Sequence, residues 1–140
     1  MQFDATRQRC TIIIDKALPT GLAINAASII GIGLGQAIEH ISGHDIQSLD
    51  AVNYPGVIHC PLPVLLASQT VISSTLAKVR DEPDIYVMPF SALAQSCKTY
   101  QEYEQKLTAT HSADIDVVAL GIVGPKKLIT GLTGNLALYR

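Results

Sequence analysis

The side chains able to do chemistry fall into a few local groupings. His59 and Cys60 set a base beside a nucleophile. On an extended chain neighbouring side chains point to opposite faces, so a thiolate–imidazole pair requires Cys60 to meet a different histidine in space. A small buried thiol and a rim histidine are the commoner roles. His40 and His44 have the i, i+4 spacing of helical metal ligands, with only Glu39 and Asp45 as nearby carboxylates. Gly43 is placed to end a helix between them, where the helix dipole already favours a histidine. No metal and no cofactor is therefore expected. Ser73, Ser74 and Ser96 lack the strand–turn–helix setting of an activated serine, and Lys126-Lys127 reads as a solvated helix end.

The most promising grouping surrounds the turn Pro19-Thr20-Gly21. It joins a β-branched run, Cys10 to Asp15, to a segment whose apolar residues recur with a helical period. Thr20 is the expected N-cap. The amides of Gly21 and Leu22 would then be orphan donors at a helix start, where the dipole favours an anion. Asp15 borders that point, and Asn25 lies one turn inside. Its amide has two readings: a structural hydrogen bond to a loop carbonyl, or a contact to a ligand.

Whether that geometry exists depends on "SIIGIGLGQAI", Ser28 to Ile38. A dinucleotide loop needs G-x-G-x-x-G directly after a strand, but Gln36 occupies the last glycine position. The residues before it keep a 3.6 period instead. Leu22, Ala26, Ile29, Ile30, Gly33, Ala37 and Ile41 form one row; Ala23, Ala27, Gly31, Gly35 and Ile38 form a second, mostly small one. One helix over 21–41 explains both rows, with Gly43 just beyond its end. Each interior glycine costs a helix up to about 1 kcal/mol relative to alanine. Close approach of a neighbour would offset that, so the helix is expected to be covered twice, by its sheet on the bulky row and by another helix or subunit on the small row.

The remaining elements follow from period and punctuation. Residues 42–62 are turn-rich, with a short strand near His59. A strand over 63–67 leads through Ser68, as cap, into a helix over 69–80. A strand over 84–88, a turn at Pro89-Phe90 and a short helix over 91–97 come next. Thr99-x-x-Glu102 is a capping box opening a helix to Thr110, with Tyr100, Tyr103 and Leu107 inward. A strand over 116–122, Pro125 at the first position of a helix ending before Gly131, and a last strand over 135–139 complete the pattern. Strands alternating with helices predict a single α/β domain over 1–140, a three-layer sandwich around a mixed four- to five-stranded sheet.

The totals narrow the partners. Ten basic and twelve acidic residues give a formal charge of −2, and the pI is near 6.0. Binding nucleic acid through its phosphates calls for a basic surplus or patch, so that class is disfavoured. Gly21 to Ile38 is the longest weakly polar stretch, but Asn25, Ser28 and Gln36 interrupt it. It falls short of the roughly 20 apolar residues that span a bilayer, and no membrane role is expected. The opening "MQFDATRQRC" lacks an apolar signal core. Three cysteines at unrelated spacings suit free thiols in a cytoplasmic protein.

Two segments carry a resemblance. "VVALGIVGPKKLITGLTGNLALY", Val117 to Tyr139, resembles the closing segment of type-two peptidyl-tRNA hydrolases: an apolar strand, then Gly124-Pro125, Leu128-Ile129, Thr133-Gly134 and Leu136-x-Leu138. "IIIDKALPTGLAINAASIIGIGLG" resembles that family's first strand and helix, and more closely its uncharacterised relatives grouped as a domain-of-unknown-function family. Those relatives share the aspartate after the strand and the Asn-Ala-Ala on the helix. Together the segments cover about a third of the chain, and they imply a peptidyl-tRNA hydrolase II-like fold.

The departures bear on activity. The hydrolases' lysines would fall near Leu22 and Ile24, and their glutamine near Ser28. Their Asp-Ala-Gly and Thr-Gln segment has no counterpart in "TATHSADID". The catalytic set is thus not carried over. The expectation is a protein that binds a small or peptide-like ligand through Asp15, Thr20, Gly21, Asn25, Ser28 and His59. It is expected to form a homodimer through the helix face of Ala27, Gly31 and Gly35. The alternatives are a hydrolase of peptidyl-tRNA or a related ester, with a rearranged set around Asn25 and His59, and a structural or interaction module.

Overall fold

The computed structural model describes residues 1–140. The β-branched run forms β1 (Gln8–Asp15), and a tight turn leads into α1 (Thr20–Ala37). A small hairpin follows, β2 (Ile46–Gln47) with β3 (Asn53–Tyr54), then β4 (Val64–Ala67) and α2 (Gln69–Arg80). The rest of the chain forms β5 (Tyr86–Ser91), α3 (Ala92–Ser96), α4 (Tyr100–Thr108), a 3-10 turn at Ser112–Asp114, β6 (Val117–Pro125), α5 (Lys126–Thr133) and β7 (Ala137–Leu138). Five strands make one mixed sheet in the order β5-β6-β1-β4-β7. β1 runs parallel to β4 and antiparallel to β6. β5 runs antiparallel to β6, so the carboxyl ends of β1, β4 and β5 share one edge.

Alternation along β1 divides the core between the two faces of the sheet. Cys10, Ile12 and Ile14 face α1, where they meet Ala23, Ala26, Ile30, Leu34, Ile38 and Phe90. Ile13 faces the other way, into a second cluster with Ile72, Leu76 and Val79 of α2 and Ile129 of α5. A central sheet with helices on both faces is the expected three-layer arrangement. A Cβ at Gly121 of β6 would overlap Ile30 Cγ2, so α1 rests on the sheet at a glycine.

Several boundaries depart from expectation. α1 ends at Ala37, not Ile41; Ile38 is already extended, and His40 reverses the chain at φ 63° rather than Gly43. Its buried stripe is Ala23 from the small row, Ala26 and Ile30 from the bulky row, and Leu34 from neither, while Leu22 of the bulky row is exposed. Among the helix's interior glycines only Gly33 has a close neighbour, Met88 Sδ; nothing lies within 4 Å of a Cβ at Gly31 or Gly35. The expected second cover is therefore not supplied by this chain.

β5 continues through Pro89-Phe90, which had suggested a turn. It is an edge strand, where proline's missing N–H costs no ladder bond. α5 runs through Gly131, with Pro125 as its cap residue. Tyr100 is 78% exposed, not inward. The caps at Ser68 and Thr99 form as expected, accepting from Val71 N at 3.2 Å and Glu102 N at 3.1 Å. Glu102, however, accepts from Lys98 N at 3.2 Å and not from Thr99 N.

Candidate binding site at the start of α1

β1 ends in a turn closed by Asp15. Its Oδ1 accepts from Ala17 N at 2.9 Å, and its carbonyl accepts from Leu18 N at 3.0 Å. Pro19 takes the cap position and offers no side-chain bond, so Thr20 is the first helical residue and not the cap. Ala23 N donates to Pro19 O at 2.9 Å, which leaves the amides of Gly21 and Leu22 without intrahelical partners. Thr20 Oγ1 accepts a long bond, 3.5 Å, from the Tyr139 hydroxyl.

Asn25 is exposed and turned toward α3. Gln95 Nε2 donates to Asn25 Oδ1 at 3.1 Å and to Leu22 O at 2.9 Å, tying α3 to the first turn of α1. Asn25 thus makes a structural bond, to a side-chain amide and not to a loop carbonyl. Ser28 Oγ donates to Ile24 O at 2.9 Å. Beside these residues lies a shallow, mainly apolar depression of about 350 Å³, lined by Ala23, Ile24, Ala27, Ser28, Val64 and Tyr139. Asp15, Thr20, Gly21, Asn25 and Ser28 therefore gather at one end of α1.

His59 does not join them. Its amide donates to Ile41 O at 3.0 Å, and its ring abuts Gly43, both beyond the far end of α1. From Asn25 to the end of α1 at Ala37 is about 18 Å of helix, so the hydrolase set around Asn25 and His59 is not assembled. His40 and His44 lie past the helix end, and no cluster of three potential metal ligands forms.

Cys60 meets a cysteine, not a histidine. It packs beside the buried Cys10, whose thiol is pushed up to about 12, first by burial and then by its Cys60 neighbour. The Cys10 thiol is therefore protonated at neutral pH, as befits a packing group. The sequence held no sign of this pairing, because Cys60 reaches Cys10 only through the adjacency of β1 and β4.

The rest of α1 is unusual for a core helix. No charged residue occurs between Thr20 and Ala37. Only 22% of it is buried, and by length and composition alone it is apolar enough to cross a membrane. Ile24 is 61% and Ile32 73% exposed, flanking the open glycines.

The layered α/β frame and the half-bare helix define a small domain built around one mixed sheet. The chain belongs to the DUF2000 family, described as a protein of unknown function, which matches residues 8–140. In fold it is similar to a protein of unknown function from Agrobacterium tumefaciens strain C58. That likeness has a TM-score of 0.83 at 12% identity, covering 96% of this chain and 98% of the other. No curated protein matches the sequence.

Proposed function

We propose that the protein is a binding protein that works as a homodimer, joined through the bare face of α1 at Ala27, Gly31 and Gly35. The observation that carries this is an uncharged 18-residue helix with one face on the sheet and the other uncovered. Two copies meeting there bury no unpaired charge, and Gly31 and Gly35 leave room for a backbone to approach. A membrane surface suits the face less well, because interfacial helices carry Lys and Arg on their polar side and α1 has neither.

The depression at Ala23, Ile24 and Tyr139 takes a small or peptide-like ligand through an apolar group, with the Thr20 and Ser28 hydroxyls nearby. Ala27 belongs to both surfaces, so dimerisation builds one wall of the ligand site. The three unpaired thiols suit a cytoplasmic setting. The resemblance of Val117 to Tyr139 makes the frame peptidyl-tRNA hydrolase II-like in this reading.

Light scattering across a concentration series tests the assembly. A dimer that Ile32→Lys converts to a folded monomer supports it; a wild-type monomer at high micromolar concentration, or partition onto neutral lipid vesicles instead, overturns it. A peptidyl-tRNA cleavage assay tests the rival. Turnover abolished by Asn25→Ala with the fold intact would replace binding with hydrolysis.

A further inference from the structure

On the opposite face of the sheet from α1's bare surface, a cavity of about 430 Å³ opens between β1, β4 and α5. Its cations are Arg9 and Lys126, its polar neutral groups include Gln8, Thr11 and Thr130, and no carboxylate lines it. A cavity of about 480 Å³ beside α2 is lined by both Asp116 and Arg80 and so has no preferred sign. Asp4, whose carboxylate lies near Lys126, is turned into its own loop, accepting from Thr6 N at 2.9 Å and Thr6 Oγ1 at 2.6 Å.

The decisive residue is Thr11. It sits between Cys10 and Ile12, which face α1, so its side chain points toward α5. It is only 3% exposed, yet its hydroxyl takes part in none of the side-chain hydrogen bonds of the protein. No side-chain polar atom sealed from solvent lacks a partner, so this hydroxyl opens on the cavity. A hydroxyl that reaches the cavity and is not spent on a protein partner is available to a bound acceptor. Arg9 Nη1 donates to Thr130 Oγ1 at 3.2 Å, which holds the guanidinium at the wall and leaves its other N–H groups and the Thr130 proton free. Pro61, Pro63, Leu65 and Ile129 supply an apolar remainder.

We propose that this cavity binds a small phosphomonoester, with the phosphate held by Arg9, Thr11, Thr130 and Lys126 and a compact apolar body against Pro63, Leu65 and Ile129. Donors arriving from four separate side chains suit a head with three terminal oxygens better than a planar carboxylate, which two N–H groups of one arginine satisfy. The site lies on the other face of the sheet from the proposed dimer surface and does not depend on it.

Phenyl phosphate, benzoate and inorganic phosphate, titrated into ¹⁵N-labelled protein, test the assignment. Phenyl phosphate is expected to give saturable shifts at the amides of Thr11, Ile129 and Thr130, to bind more tightly than either other probe, and to weaken with added salt. Arg9→Gln should weaken it about tenfold, the loss of one charge-assisted bond. Thr11→Val, which keeps the shape and removes only the hydroxyl, should weaken it several-fold without lowering the thermal midpoint. The same affinity in Ile32→Lys separates this site from the dimer. Absence of saturable shifts at those amides, benzoate binding as tightly, or unchanged affinity in both Arg9→Gln and Thr11→Val overturns it.

Discussion

The two faces of α1 are made of the same kinds of residue and meet opposite fates. On one, Ala26 and Ile30 are wholly buried and Ala23 and Leu34 nearly so. On the other, Ile24 and Ile32 stand in solvent beside glycines that touch nothing. Glycine itself makes the contrast clear. Gly121 is required, because Ile30 occupies the space its Cβ would need; Gly31 and Gly35 are not required by anything in the chain. Small residues therefore mark two different things, a contact already made inside the fold and a contact left for another molecule.

The comparison breaks most visibly on the packed side. Ile30→Ala removes a fully buried side chain and should cost about 2–5 kcal/mol of unfolding free energy. Gly121→Ala forces a methyl into Ile30 and should cost about 1–3 kcal/mol. Denaturant midpoints at constant slope check both, and a loss below half a kcal/mol for either would mean that the packed face is looser than described.

On the bare side the effects on folding are smaller and reversed. Gly31→Ala and Gly35→Ala should each stabilise the isolated fold by up to about 1 kcal/mol, since alanine is the better helix former and meets no clash. The same substitutions should weaken self-association in sedimentation. Ile32→Lys should leave the monomer's stability within about 0.5 kcal/mol of the parent while removing the dimer. A helix whose glycines raise stability as alanines and leave association untouched would return the bare face to mere tolerance.

The smallest effect lies in the β2–β3 excursion and uses α1 as its control. Asp45 accepts from Asn53 Nδ2 and Gly56 N, both at 3.1 Å, and these bonds hold its carboxyl below the usual carboxylate range. A pKa lowered by folding contributes stability above the unfolded value and loses it as pH falls through the folded one. Hydrogen exchange over residues 45–56 should therefore speed up in acid, beyond the intrinsic pH dependence, once Asp45 protonates. The amides of α1, a helix without a titratable side chain, should show no such extra loss. Equal acceleration in both would point to global unfolding.

How much could be read in advance differed by element. β1, α2, α4 and β6 carry their own period and caps, and Ser68 and Thr99 act locally, so their reading needed only neighbouring residues. Pro89 misled because proline in a strand is acceptable only at an edge, and edge position belongs to the sheet order. α1 has apolar residues on every side, so its period announced a helix without showing which stripe would face the sheet. The candidate site was legible where chain adjacency built it, at Asp15, Thr20 and Gly21. Gln95, which ties Asn25 and Leu22 to α3, and Tyr139, which reaches Thr20, come from distant sequence and gave no signal. Thr11 was hidden as one more polar letter in an apolar run.

The sequence by itself determined the alternation of strand and helix, the helical state of the glycine-rich segment, and the absence of charge from it. Each is a property of spacing or of residue type, which the chain carries before it folds. Only the tertiary structure decided which stripe of α1 is covered, that His59 stands beyond the far end of α1 from Asn25, that Cys60 lies against Cys10, and that the Thr11 hydroxyl opens on a cavity. Those outcomes depend on which strands pair and on which face of the sheet each residue emerges, and strand order is fixed by the combined packing of the whole chain.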